Sequence, residues 1–393
     1  MANPRLVTVL EGGGSYTAAF RPTLGAALGL PAFGWATGGN AEWFGEYTTA
    51  HDGTTAAQSG AIGNGQSSWL QTITNGPGSL LFWWKVSSEA NHDYLSFIVD
   101  GATTNRISGN VGWTQYACFV GAGTHTFKWE YAKDGAGAAG ADAGYLDGTA
   151  WLSCPAATNT PLMYFQENNG LLASWVLNSN GTHRFTRILA NINGWQLKTA
   201  GDVDGDGTSD LLLQTPFGDV SVWFMTADGT VRSTFLIPNN IGSWDIRACS
   251  DWNADLRSEI FFQNAAGAVA YWLIDTNGVP TNSAFLGNMG AWRLQAAADL
   301  DNDQKAELFW QTPAGNSAVW FHTNSTIRAQ VIGNMGAWAI RGAMDNGTNG
   351  PGSIAWQATD STTASWFVNT NAVPTAVVPY GKTGTWKLKA VGR

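Results

Sequence analysis

Charge is scarce in this chain. Only 12% of the 393 residues are Asp, Glu, Lys or Arg, about half the usual share. Disordered chains combine high charge with few aromatics, whereas here aromatics reach 12% and tryptophans number 21. Positive charge is the scarcer sign, with 20 basic against 29 acidic residues and a net charge of −9. A nucleic-acid binder driven by bulk charge is thereby excluded, because neutralising phosphates needs a basic surface. Long apolar runs are missing as well, and none approaches the roughly 18 residues of a membrane-spanning helix. No basic stretch followed by an apolar core opens the sequence, so no secretory leader is visible. The cysteines are Cys118, Cys154 and Cys249, an odd and sparse set that builds no disulfide framework. Each is expected to be a small buried hydrophobe, and a Cys118–Cys154 bridge has no support.

What the chain has instead is glycine, 48 residues of it, along with tryptophan, threonine and asparagine. That mixture suits short strands joined by tight turns. Beyond residue 160 the sequence repeats. One tryptophan series is Trp175, Trp223, Trp272, Trp320 and Trp366, and a second is Trp195, Trp244, Trp292, Trp338 and Trp386. A glutamine series, Gln166, Gln214, Gln263, Gln311 and Gln357, keeps the same period of 46 to 49 residues. Each unit holds four short alternating runs, as in Trp195–Ala200, Asp210–Gln214, Val220–Phe224 and Thr234–Ile237, with turn signals at Thr226-Ala-Asp-Gly and Asp275-Thr-Asn-Gly. Four strands in about 48 residues is the size of a propeller blade. Five units predict five blades. The first unit lacks a Trp-containing opening strand, and the chain ends with one, Trp386–Val391. The C-terminal strand is therefore expected to complete the blade begun by residues 162–189 and leave no open edge.

Three units carry an acidic loop between their first and second strands. The candidate ligands are Asp202, Asp204, Asp206 and Asp210; then Asp251, Asn253, Asp255 and Glu259; then Asp299, Asp301, Asp303 and Glu307. Oxygen side chains recur at offsets 0, 2, 4 and 8, so they are expected to converge on a hard cation that takes six to eight oxygens, calcium. Residues 155–393 hold 18 acidic side chains, and 11 lie in these loops, where they repel one another unless a cation neutralises them. The alternative is a solvated acidic turn. A fourth copy, Asp345–Ser353, keeps one carboxylate and is expected to bind no calcium. Two or three structural calcium ions are the expectation.

The run Gly201-Asp-Val-Asp-Gly-Asp-Gly-Thr-Ser-Asp-Leu-Leu-Leu resembles the FG-GAP/VCBS repeat of integrin-like propellers, over about residues 161–393. The resemblance implies calcium at Asp202, Asp204, Asp206 and Asp210. Propellers of that family commonly have seven blades of longer repeats, so five shorter units are more similar to the tachylectin-like arrangement, which binds N-acetylated sugars between blades.

Residues 1–154 lack the period. Ser79–Ser88, Tyr94–Gly101, Trp113–Val120 and Gly123–Tyr131 alternate apolar with polar, with turns at Asp100-Gly101 and Gly121–Gly123, a β-sandwich pattern. FWWKVSSE, DYLSFIVDG, GTHTFKWEYAKD and YLDG resemble jelly-roll modules related to MAM and concanavalin-like domains, which implies recognition or adhesion. Residues 155–160 read as a linker before a propeller spanning 161–393.

A sugar site needs an aromatic face and amides. The loops before each unit's first strand offer both, so Trp195, Asn240, Trp244, Asn288, Trp292, Asn334, Trp338 and Trp386 are candidate ligand contacts in up to five equivalent pockets. The competing reading is that these tryptophans pack between blades and the asparagines cap turns. The Trp175–Trp366 series reads as core, and the glutamines read as bonding backbone between blades. No catalytic residue is assigned. The five histidines lack metal spacing, no GxSxG occurs, and Asp93, Asp100, Asp134, Asp142 and Asp147 suit turns, or a further cation, better than a catalytic pair.

The expectation is an all-β, calcium-stabilised recognition protein with no enzymatic step, an N-terminal jelly-roll sandwich and a five-bladed propeller. Its expected partners are glycans or surface glycoconjugates, with other surface proteins as a further class, no nucleic acid and no membrane span, at an extracellular or cell-surface location. The alternatives are a structural or protein-interaction component and, third, a carbohydrate-active enzyme.

Overall fold

The computed structural model describes residues 21–153, 160–178, 180–227, 229–238, 240–323, 326–344 and 352–392. Cys154, most of the linker and the Asp345–Gly350 part of the fourth loop lie outside them. The chain divides into two compact units, Met1–Ser153 and Cys154–Arg393.

The N-terminal unit has strands β1 (Trp35–Gly39), β2 (Phe44–Glu46), β3 (Ala56–Gln58), β4 (Ser67–Ser87), β5 (Tyr94–Val99), β6 (Ala102–Ser108), β7 (Asn110–Ala132) and β8 (Ala143–Ser153). They pair in the order β2-β3-β8-β4-β7, with β1 added to β4 and β5–β6 added to β7. The strands form one large sheet built on two long strands, and the jelly-roll expectation is not confirmed. The turn expected at Gly121–Gly123 is the interior of β7. Its partner β4 runs beside it throughout, with a register shift at Gly76/Gly78 where the two strands adjust together. Alternation in β4 buries Leu80, Phe82, Trp84 and Val86. Phe82 meets Phe97 at 4.8 Å and Trp129 at 5.1 Å between ring centroids, so the two ends of the long strands share one core.

The C-terminal unit turns the sequence period into repeated antiparallel sheets. Its first strands are β9 (Leu162–Gln166), β10 (Leu171–Leu177) and β11 (His183–Asn191). The next eight are β12 (Gln196–Gly201), β13 (Asp210–Gln214), β14 (Val220–Met225), β15 (Val231–Leu236), β16 (Asp245–Ser250), β17 (Glu259–Gln263), β18 (Ala268–Ile274) and β19 (Pro280–Asn288). There follow β20 (Arg293–Ala298), β21 (Glu307–Gln311), β22 (Asn316–Thr323), β23 (Thr326–Asn334), β24 (Trp338–Met344), β25 (Gly352–Ala358), β26 (Thr362–Val368), β27 (Pro374–Lys382) and β28 (Lys387–Gly392).

Four separate four-stranded sheets result, β12–β15, β16–β19, β20–β23 and β24–β27, each paired in sequence order. The count of separate blades is thus four, where the tryptophan series predicts five. The remaining propeller strands pair in the same order, β28-β9-β10-β11, but do not stand as a separate four-stranded sheet. The inner strands pack side by side, β12 on β16, β16 on β20, β20 on β24, and β28 on both β24 and β12.

The glutamine series is the clasp between consecutive sheets. Gln214 Nε2 donates to the Trp244 carbonyl at 2.7 Å and its Oε1 accepts the Ile246 amide at 3.0 Å. Gln166, Gln263, Gln311 and Gln357 make the same pair of bonds to the next inner strand, β12, β20, β24 and β28 respectively. All five are buried, where a primary amide left without partners is costly. The Trp175, Trp272, Trp320 and Trp366 rings lie 4.5–4.8 Å from Phe165, Phe262, Trp310 and Trp356 of the neighbouring strand, half-buried on the blade face.

Candidate functional site: acidic loops and an aromatic cleft

The three acidic loops share one backbone. In the first, Gly205 and Gly207 take φ of 80° and 85°; in the others Ala254 and Leu256 take 65° and 70°, and Asn302 and Gln304 take 61° and 71°. Left-handed conformation costs residues with a Cβ about 1–2 kcal/mol each, so something else holds the second and third loops in the shape that glycine gives the first. The leading carboxylate does much of this. Asp202 accepts the amides of Gly205, Asp206 and Gly207, Asp251 those of Ala254 and Leu256, and Asp299 those of Asn302 and Gln304.

The carboxyl at offset 8 sits lower than the sequence reading expects. Asp210 and Glu307 are 0% exposed and Glu259 is 1% exposed. Asp210 accepts the Val203 and Met225 amides, at 3.0 and 2.9 Å. Glu259 and Glu307 accept the amides of Trp252 and Leu300. These side chains staple the loop from beneath. Burial pushes Asp210 and Glu259 up to about 7 and Glu307 up to about 8, with the loop's other carboxylates adding repulsion. Burial likewise raises Asp202, Asp251 and Asp301.

Offsets 0, 2 and 4 do converge in two loops. Carboxylate oxygens of Asp202, Asp204 and Asp206 lie within 4.8 Å of one another, and so do those of Asp299, Asp301 and Asp303. Oxygens on opposite sides of a calcium ion stand about 4.6–5.2 Å apart, twice the bond length, so both trios fit that ion. In the third loop Asp301 Oδ1 and Glu307 Oε1 are buried without a hydrogen-bond partner. In the first, Arg232 reaches Asp204 and Asp206 and supplies the counter-charge. The second loop is different, because Asn253 donates its amide to Glu259 at 2.8 Å and to Asp255 at 3.3 Å, joining the groups a cation would join. The leading carboxylates Asp202, Asp251 and Asp299 line a common cavity of about 390 Å³ among the inner strands.

The aromatic candidates divide in the same way. The asparagines are turn caps. Asn240 donates to the Phe217 carbonyl and to Asp219 and accepts the Gly242 amide; Asn288 and Asn334 bond Ala266, Ala314, Gly290 and Gly336 alike. Trp244, Trp292, Trp338 and Trp386 pack partly buried against the cores shared by adjacent sheets. Trp244 also lines a cleft of about 720 Å³ between the β15–β16 connection and the β16–β19 sheet. Its other walls are Asn240, Phe262, Trp272, Val279 and the β19 segment Pro280–Ser283. Trp272, core by its sequence pattern, packs on the core and, one strand outward from Phe262, also lines this cleft. No charged side chain lines the cleft. Trp195 lines a smaller one, about 260 Å³, with Asn193, Glu167 and Lys387, so the pockets are not alike.

Asp93, Asp100, Asp134, Asp142 and Asp147 all have structural partners. Lys133 pairs with Asp93 at 3.2 Å and Asp142 at 2.5 Å, His92 with Asp134 and His125 with Asp100. Asp147 accepts the amides of His51, Asp52 and Gly148. Cys118 and Cys249 are free thiols, held protonated by burial.

No family model matches the chain, and no curated protein matches it. The FG-GAP/VCBS and MAM likenesses therefore rest on the quoted residues alone. Among solved structures, the chain is similar to Raptor from Chaetomium thermophilum at 8% identity and TM-score 0.32, over 58% of this chain and 21% of that one. It is also similar to the SapL1 lectin in complex with α-methyl fucoside, at 14% identity and TM-score 0.35, over 59% of this chain and 82% of that one. The chain thus spans about a fifth of the length of the first of these. No described helix is long and apolar enough to cross a membrane.

Proposed function

We propose that the C-terminal unit is a five-bladed carbohydrate-binding propeller whose acidic loops take calcium. Two features support five blades: the set β28-β9-β10-β11 repeats the strand order of the four separate sheets, and the inner strands form a closed cycle that includes β28. The observation that carries the binding reading is the cleft at Trp244 and Trp272. It offers two indole rings, the Asn282 amide, hydroxyls at Thr281 and Ser283, and no charge, while the Asn240 amide is committed to its turn. Stacking on the apolar face of a sugar and hydrogen bonding to its hydroxyls need these groups and nothing ionic. Calcium would be held by Asp202, Asp204 and Asp206 and by Asp299, Asp301 and Asp303, and would neutralise carboxylates that now repel one another. Repetition around a rigid ring favours weak multivalent binding to arrayed glycans, with no bond broken.

A glycan array with and without calcium tests this. Binding is expected in calcium, with at least tenfold loss in Trp272→Ala while the melting temperature changes little. Failure to bind any glycan, or turnover of a glycan by the wild type, overturns the reading. A protein-interaction role has its own support in the apolar side chains that the outer strands expose, Leu236, Phe285, Val331 and Val377. Assembly independent of sugar would favour it.

A further inference from the structure

Each inner strand of the propeller carries one extra residue. Pairing skips Lys198 between Leu197 and Thr199, Arg247 between Ile246 and Ala248, Gln295 between Leu294 and Ala296, Arg341 between Ile340 and Gly342, and Lys389 between Leu388 and Ala390. A β-bulge at one position re-aims one side chain. Here the bulge recurs on every inner strand, and four of the five re-aimed residues are cations in a chain of net charge −9. Lys198, Gln295, Arg341 and Lys389 line one narrow cavity between the inner strands, about 10 Å³, room for about one water-sized group.

The positive charge there is only partly answered. Asp245 pairs with Lys198 through one oxygen and with Arg247 through the other. Arg247 Nε is buried with no hydrogen-bond partner. No ion pair or hydrogen bond of the Arg341 or Lys389 side chain occurs among the described residues. Solvent reaches the Arg341 side chain, yet protein crowds it enough to lower its pKa by desolvation, as suits a group lining a channel mouth. Burial and the neighbouring Lys198 and Arg341 charges lower Lys389 to about 8. A stability role alone would call for apolar side chains at these positions, since like charges brought together without counter-ions cost folding energy.

The geometry points to an anion site at this axial mouth, taking an oxyanion group, phosphate or sulfate, between Arg341, Lys389 and Lys198. Arginine's planar fork matches two oxygens of such a group, and lysine adds point charge. The narrow cavity keeps the group at the mouth. The site is separate from the Trp244 cleft, so each can fail without the other.

The test is thermal shift and titration calorimetry on the full chain with inorganic phosphate, glucose 6-phosphate and glucose, at ionic strength held constant with sodium chloride. Phosphate is expected to bind and raise the melting temperature, and Arg341→Gln and Lys389→Gln each to weaken it at least tenfold. Lys382→Gln, which alters a surface pair with Asp360, is expected to bind as wild type. Tighter binding of glucose 6-phosphate than phosphate identifies a phosphorylated glycan as the source; equal or weaker binding identifies the free ion. A chloride response equal to that of phosphate overturns the proposal, as do unchanged phosphate affinities in both variants. A melt of each variant without phosphate checks folding, and removing a repelled charge is expected to leave it no lower than wild type.

Discussion

Gln357 holds Leu388: its Oε1 accepts the Leu388 amide at 3.1 Å while its Nε2 donates to the Trp386 carbonyl at 3.1 Å. The two bonds join β25 to β28, which also pairs with β9 from the opposite end of the propeller sequence. Gln357→Leu leaves the buried Leu388 amide unpaired, while the Trp386 carbonyl keeps its bond from the Thr383 hydroxyl. A loss of roughly 1–3 kcal/mol is expected in urea denaturation, in one cooperative transition of the propeller. A loss under about 0.5 kcal/mol, typical of neutral surface changes, would show that the clasp is dispensable. Deleting residues 386–393 should be more severe still.

The acidic loops predict a crossed effect of calcium. In calcium, Asp301→Asn removes a ligand and should lower the melting temperature. In excess chelator it removes a repelling charge beside Asp303 and Glu307 and should raise it. The wild type should melt lower in chelator than in calcium. A wild-type melt indifferent to chelator refutes the metal assignment.

Leu256 offers a test of loop strain. It is 70% exposed with φ at 70°, where its side chain buries little and its Cβ is crowded by its own backbone. Leu256→Gly, restoring the residue type of Gly207, should stabilise the protein by about 1 kcal/mol in chemical denaturation. A net loss would mean that the leucine makes contacts worth more than the strain.

Lys389 sets a pH dependence. Its pKa of about 8 in the folded state lies below the ordinary lysine value of 10.5. Below pH 8 both states are charged and the folded protein bears the full burial penalty. Between pH 8 and 10.5 the unfolded state holds more protons, so stability rises with pH across that window. The groups acting on Lys389 are Lys198, Arg341 and Lys387, which repel it, and Asp245, which attracts it. Urea melts at pH 7.5 and 9.5 in phosphate-free buffer should show the rise, and Lys389→Gln should lessen it. An identical rise in the variant would assign the effect to other groups.

Much of the propeller was legible because repetition exposes what each residue type does. Five glutamines at one period implied one shared bond, and the clasp is that bond. A closing strand at the C-terminal end followed from one missing tryptophan strand at the start. The cation ring left an equally plain mark, since Lys198, Arg247, Gln295, Arg341 and Lys389 each lie three residues after a tryptophan of the second series. It was missed because alternation assumes an unbroken strand, and a bulge shifts which way a residue faces. At offset 8, counting oxygens along a loop does not show which of them also accept backbone amides, as Asp210, Glu259 and Glu307 do. In the N-terminal unit, Gly121–Gly123 carries a turn's composition but lies inside a strand, because β4 pairs with β7 on both sides of it and the two absorb the irregularity as a register shift at Gly76/Gly78.

Because β28 supplies the inner neighbour of β9, one edge of that strand must wait. About 220 residues separate Gln166 from Lys387, on the order of 10–40 s of synthesis at ~5–20 residues per second. Throughout that interval β9 presents an unpaired edge that a strand from another nascent molecule can occupy. Translation speed, or a chaperone covering that edge, therefore bears on whether molecules close singly or become entangled in pairs.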